Sequence, residues 1–453
     1  MRNRYLYITL LSLLGFCAES VAQAITQAPH LVVTIAVDQL RSDYLENYAP
    51  LYKAGGLKRM LTEGKVFTNA HFNFIPIDRA SATAAIQTGS CPYYNGVTGS
   101  EWLDRNTLRP KSIVEELSPV QLATSTLGDE LKMATQGMAK VFAFAADAER
   151  AILSAGHAAD GAVWLSPGKW DIAPYYAPEN QWLKWYARQY QPTPDDNQSL
   201  TTLALKCVEQ SGIGQDTITD LLCVSYSVQP NQEGYLSLDR HIANLVNGIE
   251  HKLGHGRVLF VLAGTGCREE ERENENEQFR IPTGKFYINR TVNLVNMYLG
   301  AIYGTGQYVE ICFRNQLFLN HKLIRQKNID RGEMLRRAQE FILQLSGVRN
   351  VYTASQLMTS ESERLQPIRN GFYTEKCGDL MIEIAPGWQL VNEDNHSSIV
   401  SRASNIPFPI IFWGSHIQSE RILKPVTADH IAPTVARCIR IRAPNACSAE
   451  PLF

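Results

Sequence analysis

The chain has 453 residues, 45% of them hydrophobic and 19% charged, which is long enough to bury a large core and too apolar for a disordered tail. Lys and Arg total 43 against 45 Asp and Glu, a formal charge of −2, and this excludes the basic excess of a dedicated nucleic-acid binder. A globular α/β protein is what remains.

In chain order, Arg2 and Arg4 come first, then an apolar run over 6–16, then small residues at Ala22-Gln23-Ala24. That is the order of zones in a secretory signal, predicted over 1–24 and cleaved, with the mature chain in the periplasm or at the cell surface. The run is too short for a good membrane span, and no later segment is apolar enough to supply one. A lipoprotein site at Cys17 is the weaker reading, because bulky Phe16 stands where a small residue is needed.

The stretch 30–37 is a near-continuous β-branched run, as expected of a strand buried on both faces. A helix over 44–63 is predicted to follow, ending at Gly64. Shorter apolar runs at 141–145, 221–225, 258–263, 380–384 and 409–413 read as further strands, with amphipathic stretches at 236–253 and 291–303 between them. This βαβα order predicts a mostly parallel sheet covered by helices, a three-layer α/β/α sandwich in a single domain over 25–453. An aromatic-rich segment near 165–200 reads as an inserted cap over the sheet, and the charged run 268–277 as a solvated loop. In such sheets sites form beyond the carboxyl ends of the strands.

Of the nine cysteines, eight follow the signal, an even number that an oxidising compartment permits to pair. Cys438 and Cys447 are near enough in sequence to close a small loop. Cys223 and Cys267 end apolar runs and read as core residues, and the lack of any CxxC argues against a zinc ribbon.

Five stretches carry a resemblance. They are Val37-Asp38-Gln39-Leu40-Arg41; Ile75-Pro76 followed by Gln87-Thr88-Gly89-Ser90 and Asn95-Gly96-Val97; Ala151-Ile152-Leu153-Ser154-Ala155-Gly156-His157; Thr219 to Ser227; and Ile431-Ala432-Pro433-Thr434 with Pro444-Asn445-Ala446-Cys447. In this order the chain resembles the alkaline phosphatase superfamily, in the branch of type I phosphodiesterases, nucleotide pyrophosphatases and phosphate-irrepressible bacterial alkaline phosphatases. The resemblance implies that fold over essentially the whole mature chain. It also implies a pair of zinc ions held by Asp and His, with a Thr or Ser nucleophile opening a helix.

Asp38 matches the first metal carboxylate. The nucleophile position falls on Arg79, whose guanidinium stays protonated and can neither attack nor ligate. Where the resemblance implies further ligands, the chain has Pro230 and Gly234, then Gly264-Thr265-Gly266, then Pro407. The third group cannot be rescued by a shift of register, since no Asp occurs over 240–329 and no His over 256–320. Of the family's phosphate contacts, the Lys is missing, Arg150 serves only with a one-residue slip, and Ser100 stands where an Asn is expected.

Arg79 has two readings. It forms an ion pair with Asp38, restoring charge balance that a metal would supply, or it binds an anionic group with help from Ser81, Ser100 and Arg150. Ser81 and Thr83 are conceivable substitute nucleophiles but equally plain capping residues. Asp394 and His396 are remote candidates for a displaced metal site, with a loop turn as the bland alternative. His251 and His255 read as a solvated helix end, and His157 as structural support. The expectation is a non-catalytic member of the superfamily that binds a protein or an anionic ligand in the cell envelope without a cofactor. The old cleft or the aromatic surface around Trp182, Trp185 and Tyr186 would make the contact. The alternatives are a zinc-dependent phosphoric ester hydrolase with a rearranged site, and a structural module of a larger envelope assembly.

Overall fold

The computed structural model of the chain describes residues 28–176, 181–266, 283–394, 398–400 and 406–453. The 1–24 signal, Cys267, the run 268–277 and His396 lie outside the described residues. Among those described, no helix is long and apolar enough to cross a membrane.

A ten-stranded sheet forms the centre, in the order Glu420–Ile422, Lys65–His71, Phe408–Gly414, Val258–Gly264, Leu31–Asp38, Asp220–Ser227, Val141–Ala145, Gly161–Ser166 and Lys169–Ile172, with Val426–Thr427 also paired to Lys65–His71. Leu31–Asp38 pairs in parallel with Asp220–Ser227 on one side and Val258–Gly264 on the other. All eight of its residues are buried, because helices cover both faces of the sheet, and this is why the segment reads as an unbroken apolar run. Phe408–Gly414 is antiparallel to both its neighbours.

One apolar core lies under the helices Arg79–Thr88, Ala148–Ala155 and Ile431–Ile439. A second lies on the opposite face under Asp196–Gln210 and Gln232–Leu253. The molecule is therefore a three-layer α/β/α sandwich with a mostly parallel sheet. Each Leu or Phe fully buried in these layers contributes roughly 1.5–3 kcal/mol of transfer free energy.

The predicted helix over 44–63 is two short helices, Ser42–Asn47 and Leu57–Glu63, separated by a 3-10 turn at Ala49–Leu51. Pro50 supplies no N–H for a continuing helix. Gly56 then passes so close to Asp239 that a Cβ would lie 2.4 Å from its carboxylate. The strand Leu380–Ile384 does not join the central sheet. It pairs with Gln316–Leu319 and Val348–Thr353 in a separate four-stranded sheet with its own apolar core.

The aromatic segment extends the sheet edge and its helical layer more than it caps them. Trp170 and Tyr186 are buried in the second core, Trp182 packs partly buried against it, and Tyr175, Trp185 and Tyr190 are exposed. The seven described cysteines are all free, including Cys438 and Cys447. The Cys447 thiol lies against Gly89, 2.8 Å from where a Cβ would stand, while Cys438 packs on the first core.

Candidate functional site

The strand order brings the ends of three segments together. In the central register Asp38 lies opposite Ser227, and Val37 opposite Gly264. The Thr265 amide then donates to Val37 O, and the Ser42 amide to Pro407 O, so the expected ligand stations at Asp38, Gly264, Thr265 and Pro407 fall at one end of the sheet.

The Arg79–Thr88 helix faces this end. Asp78 is its N-cap: its Oδ1 accepts the Ser81 amide at 2.9 Å, and the Ser81 hydroxyl accepts the Asp78 amide at 3.0 Å. This capping box fixes the first turn and leaves Arg79 as the first helical residue. A cation there opposes the helix dipole by roughly 0.3–1 kcal/mol, so it needs carboxylates in front of it. It has two. Arg79 Nη1 lies 3.8 Å from Asp38 Oδ2 and 3.8 Å from Asp147 Oδ2, and its side chain remains half-exposed.

Arg150 approaches from below. Its side chain is 2% exposed; Nε donates to Asp147 Oδ2 at 2.7 Å, and Nη1 to Tyr226 O and Ser227 Oγ at 3.2 Å each. Asp147 is itself the N-cap of the Ala148–Ala155 helix, which places this arginine one turn in. The Thr265 hydroxyl donates to Asp38 Oδ1 at 3.3 Å. Burial pushes the Asp38 carboxyl above the usual carboxylate range, against the opposing pull of Arg150, Arg79 and Thr265.

The remaining candidates separate cleanly. Ser81 is fully buried and its hydroxyl is spent on Asp78, and Thr83 donates back to Arg79 O at 2.7 Å. Arg150 has no open edge toward solvent. Ser100 is at the cleft, but its amide donates to Asp78 Oδ2 and its side chain bonds Glu149, whose carboxyl is raised chiefly by burial. Arg314 reaches Asp78 Oδ2 at 3.7 Å from the four-stranded sheet and packs on Gly99, where any Cβ would collide with it. Asp394 is exposed in a turn capped by Asn392. Of the sequence candidates, Asp38, Arg79, Ser100 and Arg150 are therefore brought together, with only Arg79 presenting free donors.

Sequence reading missed Asp147 and Glu149 as cleft residues. The sequence carried only a local signal, since Asp147 follows a strand and stands three residues before Arg150, the spacing of an N-cap and a helical ion pair, and that signal does not place either residue in the cleft. No described histidine hydrogen-bonds or ion-pairs with Asp38, Arg79, Asp147 or Arg150; His157, His241 and His321 are held by Asp129, Asp195 and Asp379. Among the described residues, no group of three or more His, Cys, Asp and Glu is arranged to hold a metal ion.

A family model for type I phosphodiesterase / nucleotide pyrophosphatase matches residues 32–405. The chain belongs to this family. With it comes the alkaline phosphatase superfamily. Among its relatives is the alkaline phosphatase PafA of Elizabethkingia meningoseptica, 25% identical over 519 aligned residues that cover 94% of each chain. A protein of Myroides odoratus named calcium-transporting ATPase is 24% identical, again over 94% of each chain. The crystal structure of PafA superposes with a TM-score of 0.80 at 22% identity, covering 95% of this chain and 99% of that one, which shows the shared fold. At one end of its central sheet, this family member presents two carboxylates interleaved with two guanidiniums.

Proposed function

We propose that the protein is an exported, non-catalytic member of the phosphodiesterase family that works by binding in the periplasm or at the cell surface. The observation that carries this reading is Arg79, a permanently protonated side chain at the head of the helix where a hydroxyl nucleophile is expected, 3.8 Å from Asp38. The donor set supports it. Two carboxylates, each already facing a guanidinium, with no imidazole among the described partners, do not fit a pair of zinc ions. No hydrolytic step follows from such an arrangement.

What the cleft offers instead is recognition. Arg79 makes no short hydrogen bond and keeps its fork of donors for a carboxylate or phosphate group, or for an acidic protein surface. Ala146, the residue before Asp147, joins Leu165, Pro167, Pro192, Pro194 and Asp196 in lining a shallow cavity of about 440 Å³. The exposed ring of Trp185 is a second apolar contact on the same aromatic segment.

The competing reading, a phosphoric ester hydrolase with a rebuilt site, draws on the family membership and on relatives named as alkaline phosphatases. Hydrolysis of an aryl phosphate by the purified mature chain, with and without added zinc, separates the two. The binding reading predicts no turnover above a heat-denatured control. Zinc-dependent turnover removed by a chelator and restored by zinc would overturn it.

A further inference from the structure

The contacts of Arg79 are unusual in being shared through one atom. The same Nη1 is 3.8 Å from Asp38 and 3.8 Å from Asp147, longer than a hydrogen bond to either, so it is placed as a central charge and not as a bonded donor. Asp38 is only 6% exposed, and a buried carboxylate without a counter-charge would be costly. Arg150 supplies the second counter-charge, locked to Asp147, Tyr226 and Ser227 from the buried side. The two carboxylates and two guanidiniums sum to zero, so the quartet is neutral as it stands.

We infer that the guanidiniums are the resident cations of this cleft, with Arg79 filling the space between Asp38 and Asp147 and thereby closing it to divalent ions. This deepens the binding reading and rests on it, since it takes the wild-type cleft to hold no metal. Removing Arg79 leaves Asp38, with the Thr265 hydroxyl on its Oδ1, across from an Asp147 that is still bonded to Arg150, so one negative charge is left uncompensated among oxygen donors that a hard cation such as Mg²⁺ prefers. Arg150, held by its own partners, stays in place and accounts for only one of the two charges.

The test is the melting temperature of wild type, Arg79→Ala and Arg79→Lys, each in chelator and in millimolar Mg²⁺ or micromolar Zn²⁺. Arg79→Ala is expected to melt about 2–4 °C below wild type in chelator and to recover at least half of that loss with metal. Wild type and Arg79→Lys, which keep a cation, are expected not to respond. Adding Asp38→Asn to Arg79→Ala is expected to abolish the recovery. If Arg79→Ala is not recovered folded, the neutral Arg79→Gln takes its place.

A metal-insensitive Arg79→Ala beside a metal-insensitive wild type would overturn this inference and leave the binding reading intact. Recovery that survives Asp38→Asn would also overturn it, because the ion would be bound elsewhere. A wild type stabilised by zinc would overturn the reading beneath it.

Discussion

An arginine at the first position of a helix, facing the end of a parallel sheet, is costly by itself and stable here because carboxylates surround it. Asp38 and Asp147 offset its charge at 3.8 Å, and Asp78 completes the cap beneath it. The consequence for chemistry is direct: a guanidinium has no lone pair to donate at ordinary pH. Replacing it by a hydroxyl would leave the five other expected ligand stations filled by Pro230, Gly234, Gly264, Thr265 and Pro407. Arg79→Thr is therefore expected to show no zinc-dependent hydrolysis of an aryl phosphate; measurable turnover in that single variant would contradict the assignment of the site. At this scale Asp38 and Arg79 were legible in the sequence, since each sits at a fixed offset from a strand or a motif. Asp147 and Glu149 were not. Their place in the cleft depends on the Ala148–Ala155 helix docking beside the Arg79–Thr88 helix, and no local pattern encodes that docking.

Between elements, the turn after the Ala148–Ala155 helix is held by His157. Its Nδ1 meets Asp129 Oδ2 at 2.9 Å and its Nε2 meets Leu122 O at 3.0 Å. Two acceptors favour the doubly protonated ring, and the Asp129 hydrogen bond raises the pKa of His157 above the ordinary histidine value. A raised folded value stabilises the fold fully below the unfolded pKa of about 6.5, and that contribution is lost as pH rises through the folded value. His157→Gln is expected to cost about 1 kcal/mol at pH 5.5, discounted for a side chain one-third exposed, and clearly less at pH 9. Urea melts at the two pH values check this, and a gap independent of pH would rule the ion pair out as its source. The elements themselves were largely readable: Leu31–Asp38, Val141–Ala145 and Val258–Gly264 are short apolar runs because both their faces are buried. Leu380–Ile384 has the same appearance yet joins a different sheet, since periodicity identifies a strand and says nothing of its partner.

Across the whole molecule, the region beside the four-stranded sheet is tied to the two-stranded hairpin and to the loops at Gly96 and Gln121. Arg105, in the turn between the paired strands Glu101–Asp104 and Arg109–Ser112, meets Asp379 beside the four-stranded sheet at 2.9 Å. Lys376 Nζ donates back to Gly96 O and Gln121 O at 2.8 and 2.9 Å. Lys376 is buried, and this lowers its pKa to about 8. The unfolded chain then binds more protons between about pH 8 and the ordinary lysine value of about 10.4, so stability attributable to this group rises with pH across that window. Comparing wild type with Lys376→Met from pH 7 to 10.5 is expected to show the wild type gaining relative to the variant, and a flat difference would contradict the assignment. Long-range ties of this kind were invisible in the sequence, where Lys376 and Gly96 are 280 residues apart. The overall architecture was legible because it rests on the alternation of elements and on five ordered motifs, and these survive the change of residues at the site.

The central claim is that Arg79 and Arg150 are the resident cations of this cleft. The most direct test is the metal content of the purified mature protein, measured by inductively coupled plasma mass spectrometry after exposure to zinc and desalting. Essentially no bound zinc is the predicted result. About two zinc ions per chain, the complement of a two-metal phosphoryl-transfer site, would contradict the claim and restore the hydrolase reading.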